Sequence, residues 1–210
     1  MKKLIYLSMV IVLLLAVSVC AAEPLKQTEV QPTGDKSLYD QAYALYEKQK
    51  YYDAYELFNK SQYGDWEQMA KKCVRRWPKN GQTWRDQTQW LADTRLTFKV
   101  EQPEDSAIFI RVYKDEKPLS YVFIGGSDEI SLMVPGNGTY MIKDGVGSKW
   151  FGETDTFGAI GAYETMTFTP REEETIFLTA RMGYTITINV DDAIGEDVGS
   201  QDEEWQNFTK

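Results

Sequence analysis

The spacing of the apolar residues changes once along the chain, from a helical period to a strand period. Over residues 37–78 apolar positions recur at intervals of three and four, which is typical of amphipathic helices. Ser37 is the predicted N-cap of the first helix. Polar breaks near Gln49 and Tyr63 indicate three short helices, and Pro78 ends the set because proline cannot continue a helix. The pattern therefore predicts a small helical unit over this region.

From about Thr94 apolar and polar residues alternate, which predicts strands with one buried and one exposed face. Turn-forming residues such as Asp115–Pro118 and Pro135–Gly138 separate the alternating runs. So many short strands in one region favour an antiparallel β-sandwich over residues 94–190. The runs begin at Leu96, Ile108, Tyr121, Ile130, Tyr140, Thr165, Ile176 and Tyr184. The fold class expected for the whole chain is α+β.

Three polar segments flank and join these regions. Residues 23–36 are predicted to form a flexible tether. Residues 79–93 are interpreted as a linker that packs on the β-region through Trp84 and Trp90. Residues 191–210 hold seven acidic residues and one lysine, which predicts a solvated, disordered tail.

The first 22 residues have the pattern of a secretory signal peptide. Lys2 and Lys3 precede the apolar run 4–19, and small residues follow at positions 20–22. Three outcomes stay open: cleavage and release, lipidation at Cys20, or retention as an uncleaved anchor. Val19 fits poorly the small residue that precedes a lipidated cysteine. We therefore expect an extracytoplasmic protein, secreted or associated with the cell surface, which touches a membrane only through such an N-terminal anchor.

Composition excludes several function classes. The chain has no histidine, so it has no Ser-His-Asp or Cys-His nucleophile pair and no histidine metal ligand. Its formal net charge of −9 argues against a nucleic-acid partner, which needs a basic surface. Without the first 22 residues Cys73 is the sole cysteine, and its apolar helical face predicts a buried residue.

Carboxylates are the remaining candidates for chemistry. No two of them are singled out by spacing or apolar context as a glycosidase pair, so we expect no enzymatic activity and no cofactor. Glu153, Asp155, Gly158 and Glu164 have the spacing of positions 1, 3, 6 and 12 of a calcium loop. Phe157 stands where an oxygen ligand belongs, so we predict no metal site.

Residues 42–61 resemble one tetratricopeptide repeat. The small and aromatic residues that this motif places between its two helices correspond to Ala42, Leu45, Ala54, Phe58 and Ser61. The resemblance implies a TPR-like helical hairpin, followed by a capping helix from Gly64 onwards. A single repeat cannot bury its apolar faces alone, so the hairpin must pack against another part of the protein or another copy.

In such repeats the first helix lines a ligand groove. The resemblance places Tyr39, Tyr43 and Tyr46 there, flanked by Lys36 and Glu47. Tyrosine suits a protein or peptide partner because it offers a large flat face with a polar tip. The alternative is that these tyrosines pack against neighbouring elements of the same chain.

Two segments of the β-region, 110–119 and 134–140, resemble prealbumin-like sandwiches of bacterial surface proteins. The second segment, Val134-Pro-Gly-Asn-Gly-Thr-Tyr140, contains the Pro-x-x-Gly-x-Tyr return that starts a new strand in those domains. The predicted order of segments is a signal peptide, a helical hairpin and then this domain. The same order resembles that of secreted proteins of Gram-positive bacteria, which carry no assigned activity.

The segment 147–163 is rich in glycine and aromatic residues and long for a hairpin loop. Trp150, Phe151, Phe157 and Tyr163 would suit stacking on sugar rings, which gives the alternative function of a carbohydrate- or cell-envelope-polymer-binding module. The competing interpretation is a loop that folds back and closes one end of the sandwich.

Overall fold

The computed structural model describes residues 33–85, 92–168 and 173–190, together with Phe208. Among these residues three α-helices precede nine strands, so the α+β class and the order of α-helices and strands are confirmed. The predicted signal peptide, most of the tether, and the acidic tail apart from Phe208 lie outside the described residues. None of the described helices is long and apolar enough to cross a bilayer.

The three helices are α1 (Lys36–Glu47), α2 (Tyr51–Ser61) and α3 (Trp66–Cys73). The N-cap of α1 is Asp35 rather than the predicted Ser37. Its carboxylate accepts hydrogen bonds from the backbone N–H of Ser37 at 2.8 Å and of Leu38 at 3.1 Å. Helix α2 is capped by Gln62, whose left-handed conformation (φ 48°) closes the last turn.

Small residues let the three helices pack closely around one aromatic ring. Ala42 and Ala54 are fully buried with Phe58, and Met69, Ala70 and Cys73 of α3 complete the cluster. The predicted burial of Cys73 is confirmed, and it raises the pKa of the thiol to about 12.

Nine strands follow. They are β1 (Gln82–Arg85), β2 (Thr94–Glu101), β3 (Ala107–Lys114), β4 (Lys117–Gly125), β5 (Asp128–Val134), β6 (Gly138–Gly147), β7 (Ala162–Thr165), β8 (Thr175–Leu178) and β9 (Gly183–Asn189). A six-stranded sheet has the order β1-β4-β3-β6-β7, with β8 also paired to β6. A three-stranded sheet has the order β5-β2-β9.

One strand pair corrects the expectation of a purely antiparallel region, because β2 and β9 run parallel. The hydroxyl of Thr94, at the start of β2, donates to the carbonyl of Thr179 at 3.2 Å. The chain therefore leaves β8 beside the start of β2, and β9 runs in the same direction as β2.

The predicted linker contains a strand. Strand β1 pairs with β4, and the Trp84 ring packs on Phe109 with centroids 5.7 Å apart. This strand was missed because Trp84 is its only apolar residue, so it shows no alternation. The packing expected of Trp84 is seen, whereas Trp90 lies outside the described residues.

Strand β3 is buried on both faces. Ile108, Ile110 and Val112 join a core built from side chains of both sheets. Phe109, on the opposite face, belongs to a second aromatic cluster with Trp150 and Phe157. The six-stranded sheet is therefore covered on both faces at its centre.

Candidate functional site

The loop after β6 forms much of the second aromatic cluster. The Trp150 ring lies 5.2 Å from Phe109 and 5.3 Å from Phe123, centroid to centroid. The four residues expected to stack on sugars are at most 7% exposed: Trp150, Phe151, Phe157 and Tyr163. Stacking needs an open aromatic face, and in this conformation the faces of these rings are packed against protein. The loop is folded back on the sheet.

Tyr163 fixes the conformation of this loop. Its hydroxyl donates to the carbonyl of Gly158 at 2.8 Å and accepts from the backbone N–H of Phe157 at 3.2 Å. The same hydroxyl lies 2.9 Å from the hydroxyl of Thr156. Burial raises the pKa of the phenol, so Tyr163 stays protonated over the physiological range.

The same loop holds the helical hairpin. Asp155 accepts a hydrogen bond from the backbone N–H of Tyr52, in the first turn of α2, at 2.9 Å. The N-cap residue of α2, Lys50, makes no side-chain capping hydrogen bond. Burial raises the pKa of the Asp155 carboxyl, and the Tyr52 N–H opposes that shift. Phe151 packs edge-on against Tyr52 with centroids 5.3 Å apart. Asp155 thus caps a helix that lies about a hundred residues earlier in the chain.

Asp155→Ala is expected to lower the free energy of unfolding by about 1–2 kcal/mol, because it leaves a buried N–H of α2 without this acceptor. Asp155→Asn keeps a side-chain oxygen and should lose less. Urea denaturation followed by circular dichroism measures both variants. If the alanine variant unfolds at the wild-type urea concentration, Asp155 does not stabilise α2.

A cleft of about 630 Å³ lies between the α1–α2 turn and this loop. Its walls carry charges of both signs: Lys48 and Lys50 from the turn, and Asp53, Glu153 and Asp155. Tyr51 and Phe151 supply aromatic surface. Such a cleft offers hydrogen-bonding groups and apolar contacts together, which suits a peptide better than a purely apolar ligand.

Tyr43, Tyr46 and Tyr51, which we call the tyrosine ladder, connect α1 to this cleft. Ring centroids are 6.5 Å apart between Tyr43 and Tyr46, and 5.6 Å apart between Tyr46 and Tyr51. The guanidinium of Arg75 lies 4.7 Å from the centre of the Tyr51 ring. Tyr43 is 44% exposed, so the ladder starts at the surface and ends in the cleft wall.

Tyr39 does not belong to the ladder. Its hydroxyl donates to Asp65 at 2.5 Å, and its ring packs on Phe58 and Tyr63. The hydrogen bond to Asp65, followed by burial, raises the pKa of Tyr39 to about 12. Tyr39 therefore holds α1 against the other two helices.

The two charged residues expected to flank the groove lie at opposite ends of α1. Lys36 pairs with Asp40 at 2.8 Å on the exposed first turn. Glu47 is exposed at the last turn, next to Lys48 of the cleft. The structure thus brings Tyr43, Tyr46 and Glu47 towards the cleft, whereas Tyr39 and Lys36 lie nearer the other end of the helix.

Sequence reasoning missed Tyr51 and Arg75, which extend the ladder, and the capping role of Asp155. Only the first had a local signal, since Tyr51 follows the helix break that was recognised at Gln49. Among the described residues, no group of three or more acidic or cysteine side chains is arranged to hold a metal ion. Asp155 caps α2, and Glu164 lies on β7.

No protein-family model, curated protein or solved structure matches this chain. Its function is therefore inferred from the ladder and the cleft themselves.

Proposed function

We propose that this protein is a non-catalytic, extracytoplasmic interaction protein that binds a protein or peptide partner through the tyrosine ladder and the adjoining cleft. The proposal relies on one observation: the exposed ring of Tyr43 is connected through Tyr46 and Tyr51 to a cleft whose walls carry positive and negative side chains. The predicted signal peptide supports the location.

The proposal includes the finer fold assignment. Ala42, Ala54 and Phe58 are buried where α1 and α2 meet, which supports a TPR-like hairpin with α3 as its capping helix. A shared apolar core between the two sheets supports a β-sandwich of the prealbumin-like kind. In this arrangement the β-region is the support on which the hairpin is mounted through Asp155 and Phe151.

The chemistry of the surface favours a peptide. Tyrosine side chains lose little conformational entropy on binding, and they dominate many interfaces energetically. Lys48 and Lys50 would pair with acidic groups of the ligand, and Asp53 and Glu153 with basic groups. The carbohydrate alternative relies on aromatic rings that are buried in the loop, so no observation of this structure favours it.

Tyr43→Ala with Tyr46→Ala is expected to weaken capture of the partner by roughly 30-fold, the effect of losing about 2 kcal/mol at a binding hot spot. Residues 23–210 serve as bait for envelope and secreted proteins of the source cell, with quantitative mass spectrometry as the measurement. Tyr39 is left unchanged because its bond to Asp65 makes it part of the hairpin core.

Phe177→Ala is the matched control, since this 60% exposed ring lies on β8, away from the helices. Circular dichroism establishes that every bait is folded. A protein captured by wild type and by the control, but lost from the double variant, supports the proposal. Capture that is unchanged in the double variant, or absent altogether, contradicts it.

A further inference from the structure

Arg111 is a buried cation in a strongly acidic protein. It lies on the central strand β3 and is only 6% exposed. Among the described residues no carboxylate lies within ion-pair distance of its guanidinium, and its Nε has no hydrogen-bond partner. A buried guanidinium without a counter-charge is costly, so other groups must compensate for its lost hydration.

Aromatic rings supply that compensation. The guanidinium carbon lies 5.7 Å from the centre of the Phe109 ring, 5.2 Å from Tyr121 and 4.5 Å from Phe208. Its Nη1 donates to the backbone carbonyl of Phe208 at 2.6 Å. The shortest contacts of Arg111 are thus made with a residue near the C-terminus, 97 positions away in sequence.

Phe208 occupies a pocket built by other parts of the chain. It is 2% exposed, and its ring lies 4.8 Å from that of Tyr163. Gly145 of β6 leaves the space: a Cβ there would lie 2.5 Å from the Tyr163 ring and 3.5 Å from the Phe208 ring. We name this the Arg111 pocket, with walls formed by Phe109, Arg111, Tyr121, Gly145 and Tyr163.

The strands that carry the walls of the Arg111 pocket are held by sheet pairing and not by Phe208. Phe109, Arg111 and Tyr121 lie on adjacent strands of the six-stranded sheet. Tyr163, on β7, is held by its hydrogen bonds to the loop. We therefore expect the backbone of this pocket to keep its shape when the occupant leaves, as in binding sites that are largely pre-formed.

We propose that the Arg111 pocket is a peptide-binding site for an aromatic residue within an acidic segment, and that Phe208 is its resident ligand. Three features of the pocket favour such a ligand. The aromatic walls pack against an aromatic side chain, and Nη1 of Arg111 donates a hydrogen bond to a backbone carbonyl. The Nε of Arg111, which has no hydrogen-bond partner, would attract a carboxylate. The sequence Asp202-Glu-Glu-Trp-Gln-Asn-Phe208 has that composition. A peptide of the same kind competes with Phe208 for the pocket.

The test uses residues 23–210 carrying Phe208→Ala, which empties the pocket without touching its walls. The probe is a fluorescein-labelled peptide of residues 201–210, and fluorescence anisotropy measures its binding. We expect the variant to bind this peptide at least ~10-fold more tightly than wild type, whose pocket is occupied. A peptide with Phe208→Ala should bind the same variant at least ~10-fold more weakly than the natural sequence.

Arg111→Lys, added to the Phe208→Ala protein, keeps the charge but removes the forked donor, and should also weaken peptide binding. Phe177→Ala is the control and should behave as wild type. Failure of the folded Phe208→Ala protein to bind the peptide overturns the proposal, as does equal binding of the Phe208→Ala peptide. The ladder residues are not part of this pocket, so the result is independent of the proposed function.

Discussion

Replacing Trp150 by alanine is expected to lower the free energy of unfolding by about 3–5 kcal/mol, the usual cost of removing a large buried aromatic side chain. Trp150 is 3% exposed and contacts the rings of Phe109, Phe123 and Phe157. Its carbonyl also accepts from the backbone N–H of Arg75 at 2.7 Å, just after α3. The variant therefore leaves a cavity where the helices, the loop and the sheet meet.

Urea denaturation of the Trp150→Ala variant, followed by circular dichroism, gives the change directly. Phe177→Ala removes a ring that is 60% exposed, so it should change the free energy of unfolding by no more than about 0.5 kcal/mol. Equal stability of the two variants would show that the Trp150 ring is not an essential part of the aromatic cluster.

The strands were predictable where sequence alternation and burial coincide. In strand β2 the alternating apolar residues Leu96, Phe98 and Val100 are all buried, as the sequence alternation predicts. Strand β7 lies earlier than expected, at residues 162–165 rather than from residue 165 onwards. Its start was missed because Tyr163 was assigned to the aromatic loop, and the Tyr163 side chain does pack in the aromatic cluster and not in the core between the sheets.

The fate of the aromatic loop could have been predicted from strand β3. Ala107 to Val112 is apolar except for Arg111, and such a continuous run indicates a strand covered on both faces. The outward face then needs a cover, which the rings of Trp150 and Phe157 provide. Sequence reasoning that treated the loop by itself could not decide between a ligand site and this packing role.

The candidate site was predictable only in part, because its parts meet through long-range contacts. The helical period placed Tyr43 and Tyr46 on one stripe of α1. The same period placed Tyr39 there too, but its bond to Asp65 in the turn before α3 and its packing on Phe58 separate it from the ladder. The contact between Asp155 and Tyr52 spans 103 residues and has no local signature.

Asp144 is the most unusual side chain of the core. It lies on β6 between Ile142 and Val146, on the face that meets the three-stranded sheet, and is 3% exposed. Its Oδ1 is buried without a hydrogen-bond partner. Burial, with a smaller contribution from the neighbouring carboxylate of Glu164, raises the pKa of Asp144 to about 8. Asp144 is therefore largely protonated in the folded protein at neutral pH.

This raised pKa makes stability depend on pH. An unfolded aspartate has a pKa of about 3.9, so between that value and about 8 the folded state binds more protons than the unfolded state. Stability is therefore greatest below the unfolded pKa and falls as pH rises towards 8. Asp144→Asn removes this loss because its amide carries no charge. At pH 8 the variant should be more stable than wild type by roughly 3–5 kcal/mol.

The difference between wild type and Asp144→Asn isolates this carboxyl from the other acidic residues. Urea denaturation at a series of pH values between 4 and 8 should show the gap widening as pH rises. Asp105→Asn removes an exposed carboxylate from the turn before β3 and controls for the change in net charge. A gap that stays constant across this range would mean that Asp144 ionises at an ordinary pH. Its environment would then have to be more polar than the apolar core described here.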